Sequence, residues 1–258
     1  MLNHTTMNGS LGFACLLLLL AAVYCGSIDL NSAVPLPSDE KPQAGHSELP
    51  RVFVDTTMPV QSGKTRNVSA CNLLQKTIDE AALGDTIVID ASLTCPGEFN
   101  LTEKTSGEGW IIIRTSALEK LAPEGTRVHP ALHAQFMPKI LGNFMNGRPF
   151  VARARSHHYR FIGIEMGMTE GMATQSGILS LAPLPAGATS LSDLPHHFIV
   201  DRCYIHGHPQ GNMRRGIWIG ADYVGIIDSY ISDIHEVGND SQAIGGWNFR
   251  GPLKIVNN

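Results

Sequence analysis

The sequence contains the run His197-Phe-Ile-Val-Asp-Arg-Cys-Tyr-Ile-His206 and, further along, the similar run Tyr223-Val-Gly-Ile-Ile-Asp-Ser-Tyr-Ile-Ser232. This repeat is the main evidence for the fold. Cys203 in the first copy aligns with Ser229 in the second, which sets a spacing of 26 residues (229 − 203). Both copies are short runs of β-branched and aromatic residues without helical periodicity, which is typical of strands. The repeat therefore predicts equivalent strands in successive structural units.

Two further segments fit the same frame. Met166 aligns with Ile205 at a spacing of 39 (205 − 166), and Asn258 aligns with Ser229 at a spacing of 29 (258 − 229). Irregular periods made of short strands indicate a β-solenoid whose loops vary in length. The alternative is a chance similarity of two strands in a β-sandwich. In the solenoid, we expect the following side chains in the interior: Phe161, Ile199, Val200, Ile226 and Ile227.

Residues 67–90 predict a helix followed by the first strand. Apolar residues recur at helical spacing from Leu73 to Ala82, and Ser69 is a suitable N-cap residue. Gly84 and Asp85 then end the helix before the β-rich run Thr86-Ile-Val-Ile-Asp90. Such a helix can cover the otherwise open end of the first coil.

The N-terminus predicts export. Residues 1–27 contain an uncharged apolar run followed by Cys25, Gly26 and Ser27, which is the pattern of a cleaved signal peptide. A membrane anchor is the alternative, but the run is shorter than the roughly 20 apolar residues that a spanning helix needs. Residues 28–66 are rich in proline and read as a linker and extended lead-in, so the folded domain is predicted over 67–258. We expect a secreted or periplasmic protein.

Composition and cysteine content narrow the class of protein. The net charge of −4 argues against a general nucleic-acid binder, which needs a basic face. Removal of residues 1–27 leaves three cysteines, and an oxidising compartment favours a disulfide between two of them. Cys71 opens the predicted helix and Cys95 follows the first strand, so we expect these two to pair. Cys203 lies in an apolar pattern and is expected to be a buried free thiol.

The chain resembles the pectate-lyase-like proteins, a superfamily of single-stranded right-handed parallel β-helices, and within it a bacterial branch. The resemblance covers residues 67–258 and is carried by the cap and first strand and by three later segments: 74–88, 201–207, 228–233 and 240–258. It implies an all-β fold with an N-terminal capping helix. Such domains usually continue for several more coils, whereas this chain ends on a strand at Asn258. We therefore expect a C-terminally incomplete helix that associates or aggregates when expressed alone.

The resemblance also implies a class of chemistry. Many of these proteins are exported and bind or cleave acidic polysaccharides. The lyases among them abstract the C5 proton of a uronate with Arg or Lys, often with Ca²⁺ held by Asp and Glu. Others are hydrolases, epimerases or proteins without catalysis. This chain has no complete catalytic signature of any of these groups.

The candidate catalytic residues are Arg214, Arg215 and His206. The two arginines lie in a turn just before the strand Ile217-Trp-Ile219, where a pair of guanidinium groups can hold a carboxylate. A salt bridge to a neighbouring coil is the equally weighted alternative. His206 ends the first copy of the repeat, where it can act as acid or base.

The candidate metal ligands are Asp233, Glu236 and Asp240, which form the densest acidic stretch. Oxygen ligands on loops suit Ca²⁺. Their spacing is not diagnostic, so aspartates that cap turns are the favoured alternative. No organic cofactor is predicted.

The candidate substrate-binding residues are Trp247, Lys254 and His208. Trp247 lies in a glycine-rich loop, where its ring can stack on a sugar or cover the edge of the coil. Lys254 can face the substrate or be an ordinary exposed lysine of a strand. The pairs His157-His158 and His196-His197 each open a strand and are expected to stack on successive coils.

Two functions follow from these features. The first is a polysaccharide lyase acting by β-elimination on an acidic, uronate-containing glycan. The alternative is a non-catalytic carbohydrate-binding or cell-surface module. The expected partner is an acidic polysaccharide, with no nucleic acid, and with no membrane after cleavage of the signal. The oligomeric state is not predicted.

Overall fold

The computed structural model describes residues 51–142, 148–169, 177–183 and 188–258. The predicted signal peptide (1–27) and the first part of the predicted linker (28–50) lie outside the described residues. Within the described ranges, no helix has the length and apolar character needed to cross a membrane.

The described strands form three parallel sheets that the chain visits in a fixed order. Sheet I contains β1 (Thr65–Val68), β2 (Thr86–Ile89), β5 (Ile111–Thr115), β8 (His157–Ile162), β11 (His196–Asp201), β14 (Asp222–Ile227) and β17 (Leu253–Val256). Sheet II contains β3 (Thr94–Pro96), β6 (Lys139–Gly142), β9 (Glu165–Met168), β12 (Tyr204–His206) and β15 (Tyr230–Ser232). Sheet III contains β4 (Phe99–Leu101), β7 (Phe150–Ala152), β10 (Leu179–Leu181), β13 (Arg215–Ile219) and β16 (Gln242–Gly246). From β2 onward the chain passes through sheets I, II and III in turn, which confirms a parallel β-solenoid.

The register of the coils agrees with the repeat. Ile205 pairs with Met166 on one side and with Ile231 on the other, all in parallel strands. Each copy of the repeat is nevertheless two strands and not one, because a residue in the left-handed region turns the chain from sheet I to sheet II. That residue is Gly163, Arg202 or Asp228 in three successive coils, with φ between 48° and 64°, and Asn257 after β17 has a similar φ of 56°. Such a backbone is accessible to glycine and tolerated by Asp and Asn.

The interior is apolar, and most of the predicted core residues lie in it. Phe161, Val200 and Ile226 are aligned in sheet I and belong to one core cluster. Ile199 is also buried, but it alternates with them and faces outward. Ile227 follows Ile226 on the outer face and is only partly buried.

The helix before the first complete coil is shorter than predicted. A 3₁₀ turn (Cys71–Leu73) leads into α1 (Leu74–Glu80), whose Leu74 and Ile78 are buried in the core. The buried amino group of Lys104 donates to the carbonyls of Ile78 and Asp79 at 2.6 and 2.9 Å, which satisfies acceptors at the end of the helix. The helix therefore ends at Glu80, before Gly84. Its role as a cap stays a prediction, as do the right-handedness and the C-terminal incompleteness.

The cysteines lie as predicted. Cys71 and Cys95 form a disulfide that joins the 3₁₀ turn to β3. Cys203 is a buried free thiol in the turn between β11 and β12, and burial raises its pKa to about 12. The thiol is therefore unreactive at neutral pH.

An N-terminal strap, residues 51–59, covers the outer face of sheet I. The fully buried guanidinium of Arg160 donates to the carbonyls of Thr56 and Thr57 at 2.9 and 3.0 Å. Lys254 donates from its amino group to the hydroxyl of Thr56 at 2.7 Å. Strand β1 and this strap are ordered parts of the domain whose contacts the sequence did not predict.

An insert, residues 116–138, lies between β5 and β6 and packs on the outer side of sheet II. It holds two 3₁₀ turns (Leu118–Lys120 and Ala134–Phe136) and the short helix α2 (Pro130–His133). A small apolar cluster in the insert contacts Tyr204 and Tyr230. The backbone of Val128 donates to the carbonyl of Asp228 at 2.9 Å, so the insert reaches across several coils.

The predicted stacking of the histidine pairs is confirmed. His157 stacks on His196 with ring centroids 5.0 Å apart, and His158 stacks on His197 at 4.4 Å. Tyr223 continues the second column at 4.5 Å from His197. Burial, followed by the neighbouring histidines, lowers the pKa of His158 and of His197 to about 4. These rings are therefore neutral at pH 7.

A buried ionic group lies under the strap and tests the packing of sheet I. Asp201 accepts from Arg160 at 2.7 Å and from Arg202 at 2.8 Å, and all three side chains are at most 6% exposed. Asp201→Ala removes the buried carboxylate that two buried guanidinium groups share, so the free energy of unfolding should fall by about 3–5 kcal/mol. Urea denaturation measures it. Glu119→Ala, at an exposed position, is the control and should change stability by less than about 0.5 kcal/mol. Equal stability of the two variants would show that the ionic group is dispensable.

Candidate functional site

Most of the sequence-predicted site residues meet at the corner between sheets II and III. The loop 207–214 follows β12, and the loop 233–241 follows β15 one coil later. The two loops lie against each other through hydrogen bonds from Met213 N to His235 O at 2.6 Å and from Val237 N to Asn212 Oδ1 at 3.2 Å. Coil stacking thus brings together two segments that are about one coil apart in sequence.

Arg215, a predicted catalytic residue, contacts Trp247, a predicted substrate-binding residue. Its guanidinium carbon lies 4.7 Å from the centroid of the Trp247 ring, a cation–π contact. Burial, followed by the charge of Arg214, lowers the pKa of Arg215, while Glu236 and Asp240 act in the opposite direction. The structure therefore brings predicted catalytic and substrate-binding side chains into contact.

The acidic residues predicted as Ca²⁺ ligands lie on the same corner but do not form a compact ligand set. Asp233, Glu236 and Asp240 all belong to the loop 233–241, and Asp233 accepts from the hydroxyl of Ser232 at 2.8 Å. In the described part of the chain, three or more His, Cys, Asp or Glu ligand atoms come within 4.8 Å of one another only in a group of histidines on sheet I. The Ca²⁺ site stays a prediction.

A groove lies on the outer side of sheet III next to Arg215. Its volume is about 810 Å³, and its aromatic walls are Trp218, Trp247 and Phe249. The indole rings of Trp218 and Trp247 are 5.1 Å apart between centroids and tilted by 43°. The indole N–H of Trp218 is buried and has no acceptor among the described residues. The groove therefore offers the indole rings of Trp218 and Trp247 for stacking, together with polar side chains such as Ser190 and Asn248.

The charge inside this groove is limited. Arg250 is the charged residue among its described lining residues, and it contacts the buried carboxylate of Asp222 at 2.5 Å. The same described lining contains no carboxylate, imidazole, amine or phenol. The groove is therefore equipped for stacking and hydrogen bonding, and acid–base groups have to come from its edge.

His206 belongs to a separate acid–base cluster on the outer face of sheet II. Its Nε2 atom lies 3.2 Å from Glu165, whose carboxylate also contacts the amino group of Lys139. The ring of Tyr204 stacks on the imidazole with centroids 4.3 Å apart. The His206 and Lys139 contacts lower the pKa of Glu165 against the raising effect of burial, which is the largest single cause. Glu165 is thus held as a carboxylate.

Gly167 makes the room for His206 in this cluster. Gly167 pairs with His206 on the neighbouring strand, and a methyl group on Gly167 would lie 2.9 Å from the imidazole. The absence of a side chain there lets the imidazole reach diagonally to Glu165. Position in the register, and not local sequence, decides this geometry.

The two remaining predicted binding residues lie apart from the groove. Lys254 is on sheet I, where it holds the strap through Thr56. His208 lies in the loop 207–214, and its Nδ1 atom accepts from the backbone N–H of Gln210 at 3.2 Å. Neither residue is among the described residues that line the groove.

Sequence reasoning missed Trp218, Glu165 and Lys139. Trp218 was visible only as an apolar residue within a strand, although it alternates with the interior residues Ile217 and Ile219. That alternation was the signal for an outward-facing indole. Lys139 pairs with Glu165, and Glu165 pairs with Tyr204, so the three residues occupy the same position in successive coils. That equivalence in the repeat was the signal for their proximity.

Comparison with known proteins adds a likeness of fold. No protein-family model matches the chain, and no curated protein matches it. Among solved structures, the chain is similar to an alginate lyase from Paenibacillus sp. str. FPU-7, with 15% identity and a TM-score of 0.42. The match covers 73% of this chain and 64% of the alginate lyase chain. This chain therefore spans less than two thirds of the length of that lyase. A likeness of this extent does not assign an activity, and the pectate-lyase-like resemblance stays a prediction.

The cluster on sheet II can be tested through Gly167. Gly167→Ala should displace the imidazole of His206 and lower the free energy of unfolding by about 1–3 kcal/mol, because the added methyl overpacks the site. In a His206→Ala background, Gly167→Ala should lower the free energy of unfolding by a clearly smaller amount, because the imidazole that the methyl group would contact is absent. Urea denaturation of the four proteins in this double-mutant cycle measures the difference. Equal costs in both backgrounds would show that His206 does not lie over Gly167.

Proposed function

We propose that this protein binds an acidic polysaccharide along sheet III. The observation that carries the proposal is the pair of indole rings, Trp218 and Trp247, in one open groove of about 810 Å³. Indole rings present large flat apolar faces with a polar N–H at one edge. A sugar ring has an apolar face of C–H groups and hydroxyls at its rim, so it matches both features.

The preference for an acidic glycan is supported by the arginines at the edge of the groove. Arg215 packs against Trp247, and Arg214 is its neighbour in the chain. Guanidinium groups bind carboxylates through paired N–H donors. Recognition of a substrate carboxylate is assigned to the Arg214–Arg215 edge, because the guanidinium of Arg215 lies directly against Trp247.

Lyase activity is the second candidate, because Arg215 packs against Trp247 at the edge of the groove. Burial, followed by the charge of Arg214, lowers the pKa of Arg215, which reduces the cost of deprotonating its guanidinium. In β-elimination, Arg215 in its neutral form would take the C5 proton of a uronate. The C4–O bond would break as the C4–C5 double bond forms, and the leaving oxygen would take a proton from water. Carbohydrate binding is preferred to lyase activity because the described lining of the groove contains no carboxylate, imidazole, amine or phenol that could act as an acid or base.

The binding proposal is tested with Trp247. Trp247→Ala should weaken binding of polyuronate oligosaccharides at least tenfold, equivalent to about 1.4 kcal/mol, because one stacking face is lost. Calorimetric titration measures the dissociation constants, and quenching of tryptophan fluorescence reports contact. Trp110→Phe is the control, since Trp110 lies against His158 on sheet I. Unchanged affinity of the Trp247→Ala variant for these oligosaccharides would contradict the proposal that the groove binds the glycan.

The lyase candidate is tested separately. Unsaturated uronides absorb in the ultraviolet, so a panel of acidic polysaccharides is followed for product, with and without Ca²⁺. If turnover occurs, Arg215→Ala should abolish it and Arg214→Ala should reduce it, while circular dichroism shows the fold retained. Full turnover in both variants would contradict the assignment to the arginines. Binding without turnover on every polysaccharide would leave the carbohydrate-binding module.

A further inference from the structure

Four histidines form a compact group on sheet I, away from the sheet that carries the groove. The parallel register aligns His196 with His157, and the two following residues, His158 and His197, stack beside them. Within each sequence pair the rings are nearly perpendicular, at 89° and 82°. The arrangement is therefore two stacked columns whose rings face each other edge to face.

Short contacts between the columns leave unprotonated nitrogen atoms inside the group. The Nδ1 atoms are 2.9 Å apart in the pair His157–His158 and 2.7 Å apart in the pair His196–His197. A hydrogen bond between two imidazole nitrogens needs one N–H donor and one lone pair. Each pair therefore keeps at least one nitrogen available as a ligand.

Three of these side chains lie close together, and because the rings of His158 and His197 are parallel to within 6°, one of them must tilt for both to face one ion. His158, His196 and His197 each offer one ring nitrogen, and the three atoms lie within 4.8 Å of one another. The fourth, His157, lies 3.1 Å from the carbonyl of Lys104 through Nε2 while its Nδ1 contacts His158. A histidine held in this way by a backbone carbonyl orients its neighbour, as groups around metal ligands commonly do.

A cavity opens onto the same group. Its volume is about 410 Å³, and its walls are His158, His197, Trp110, Tyr223 and residues of the strap between Phe53 and Pro59. The cavity gives access to the histidines and space for water or a small ligand. Three protein ligands with an open position beside them are the pattern of zinc sites that bind an exchangeable ligand.

We propose that His158, His196 and His197 bind one divalent transition-metal ion, with Zn²⁺ as the representative. Imidazole nitrogen prefers Zn²⁺, Cu²⁺ and Ni²⁺, whereas Ca²⁺ and Mg²⁺ prefer oxygen. Binding replaces the hydrogen bond between His196 and His197 by two metal–nitrogen bonds. The displaced hydrogen moves to the other nitrogen of its ring, and the two Nδ1 atoms separate to roughly 3.3 Å, as tetrahedral ligation at about 2.05 Å requires.

The site is independent of glycan binding, so its test does not depend on the groove. The full chain is freed of metal by chelation and titrated calorimetrically with Zn²⁺, and Ca²⁺ is titrated in parallel. We expect one Zn²⁺ per chain, a higher melting temperature with Zn²⁺, and no comparable effect of Ca²⁺. Loading with Co²⁺ should give the strong visible absorption of four- or five-coordinate nitrogen ligation.

Variants locate the ion. His197→Phe keeps a ring stacked between His158 and Tyr223 but removes a ligand, and it should weaken Zn²⁺ binding at least tenfold. His235→Ala, an exposed histidine outside the group, is the matched control and should bind as the parent does. Equal affinity in both variants, absence of a one-to-one Zn²⁺ site, or a weak octahedral Co²⁺ spectrum would each overturn the proposal. If His197→Phe fails to fold, the Co²⁺ spectrum of the parent chain alone decides the outcome.

Discussion

A coil of this protein is too thin to bury its own apolar side chains, so its stability depends on stacking against the next coil. Hydrogen bonds between parallel strands hold the stacked coils in a constant register. That register fixes which side chains are neighbours. Phe161, Val200 and Ile226 form a column inside the solenoid, and His158, His197 and Tyr223 form one outside it. Any functional site on such a scaffold is assembled from columns, because residues one coil apart in sequence are adjacent in space.

Described segments outside the repeat cover the outer faces of two sheets. The strap 51–59 is anchored on sheet I by Arg160 and Lys254, and the insert 116–138 packs on sheet II. Sheet III carries the large groove with Trp218 and Trp247. A buried cation such as Arg160 is costly unless it is paired, and Asp201 meets that requirement. The strap is therefore held on sheet I by polar anchors, whereas the insert packs on sheet II through an apolar cluster.

The described side chains at these faces separate stacking groups from acid–base groups. The groove supplies indole faces and, at its edge, the guanidinium of Arg215, which suits an acidic sugar chain. Acid–base groups are concentrated elsewhere, in the cluster of Lys139, Glu165 and His206 on sheet II and in the histidines of sheet I. This separation is why binding is the function that the groove supports first.

The sequence by itself determined the solenoid, the stacking of Ile205 on Met166 and Ile231, the Cys71–Cys95 disulfide and the histidine columns. It could do so because spacing along the chain translates directly into position in a column when the register is constant. It did not determine the contacts of the strap and the insert, the pairing of Trp218 with Trp247, or the meeting of Lys139, Glu165 and His206. Arg160 and Thr56 are 104 residues apart, and Lys254 and Thr56 are 198 apart, with no repeat relating them. Such contacts depend on the path of the chain across the outer faces and on which side chain leans over a small neighbour such as Gly167, and only the tertiary structure decides those.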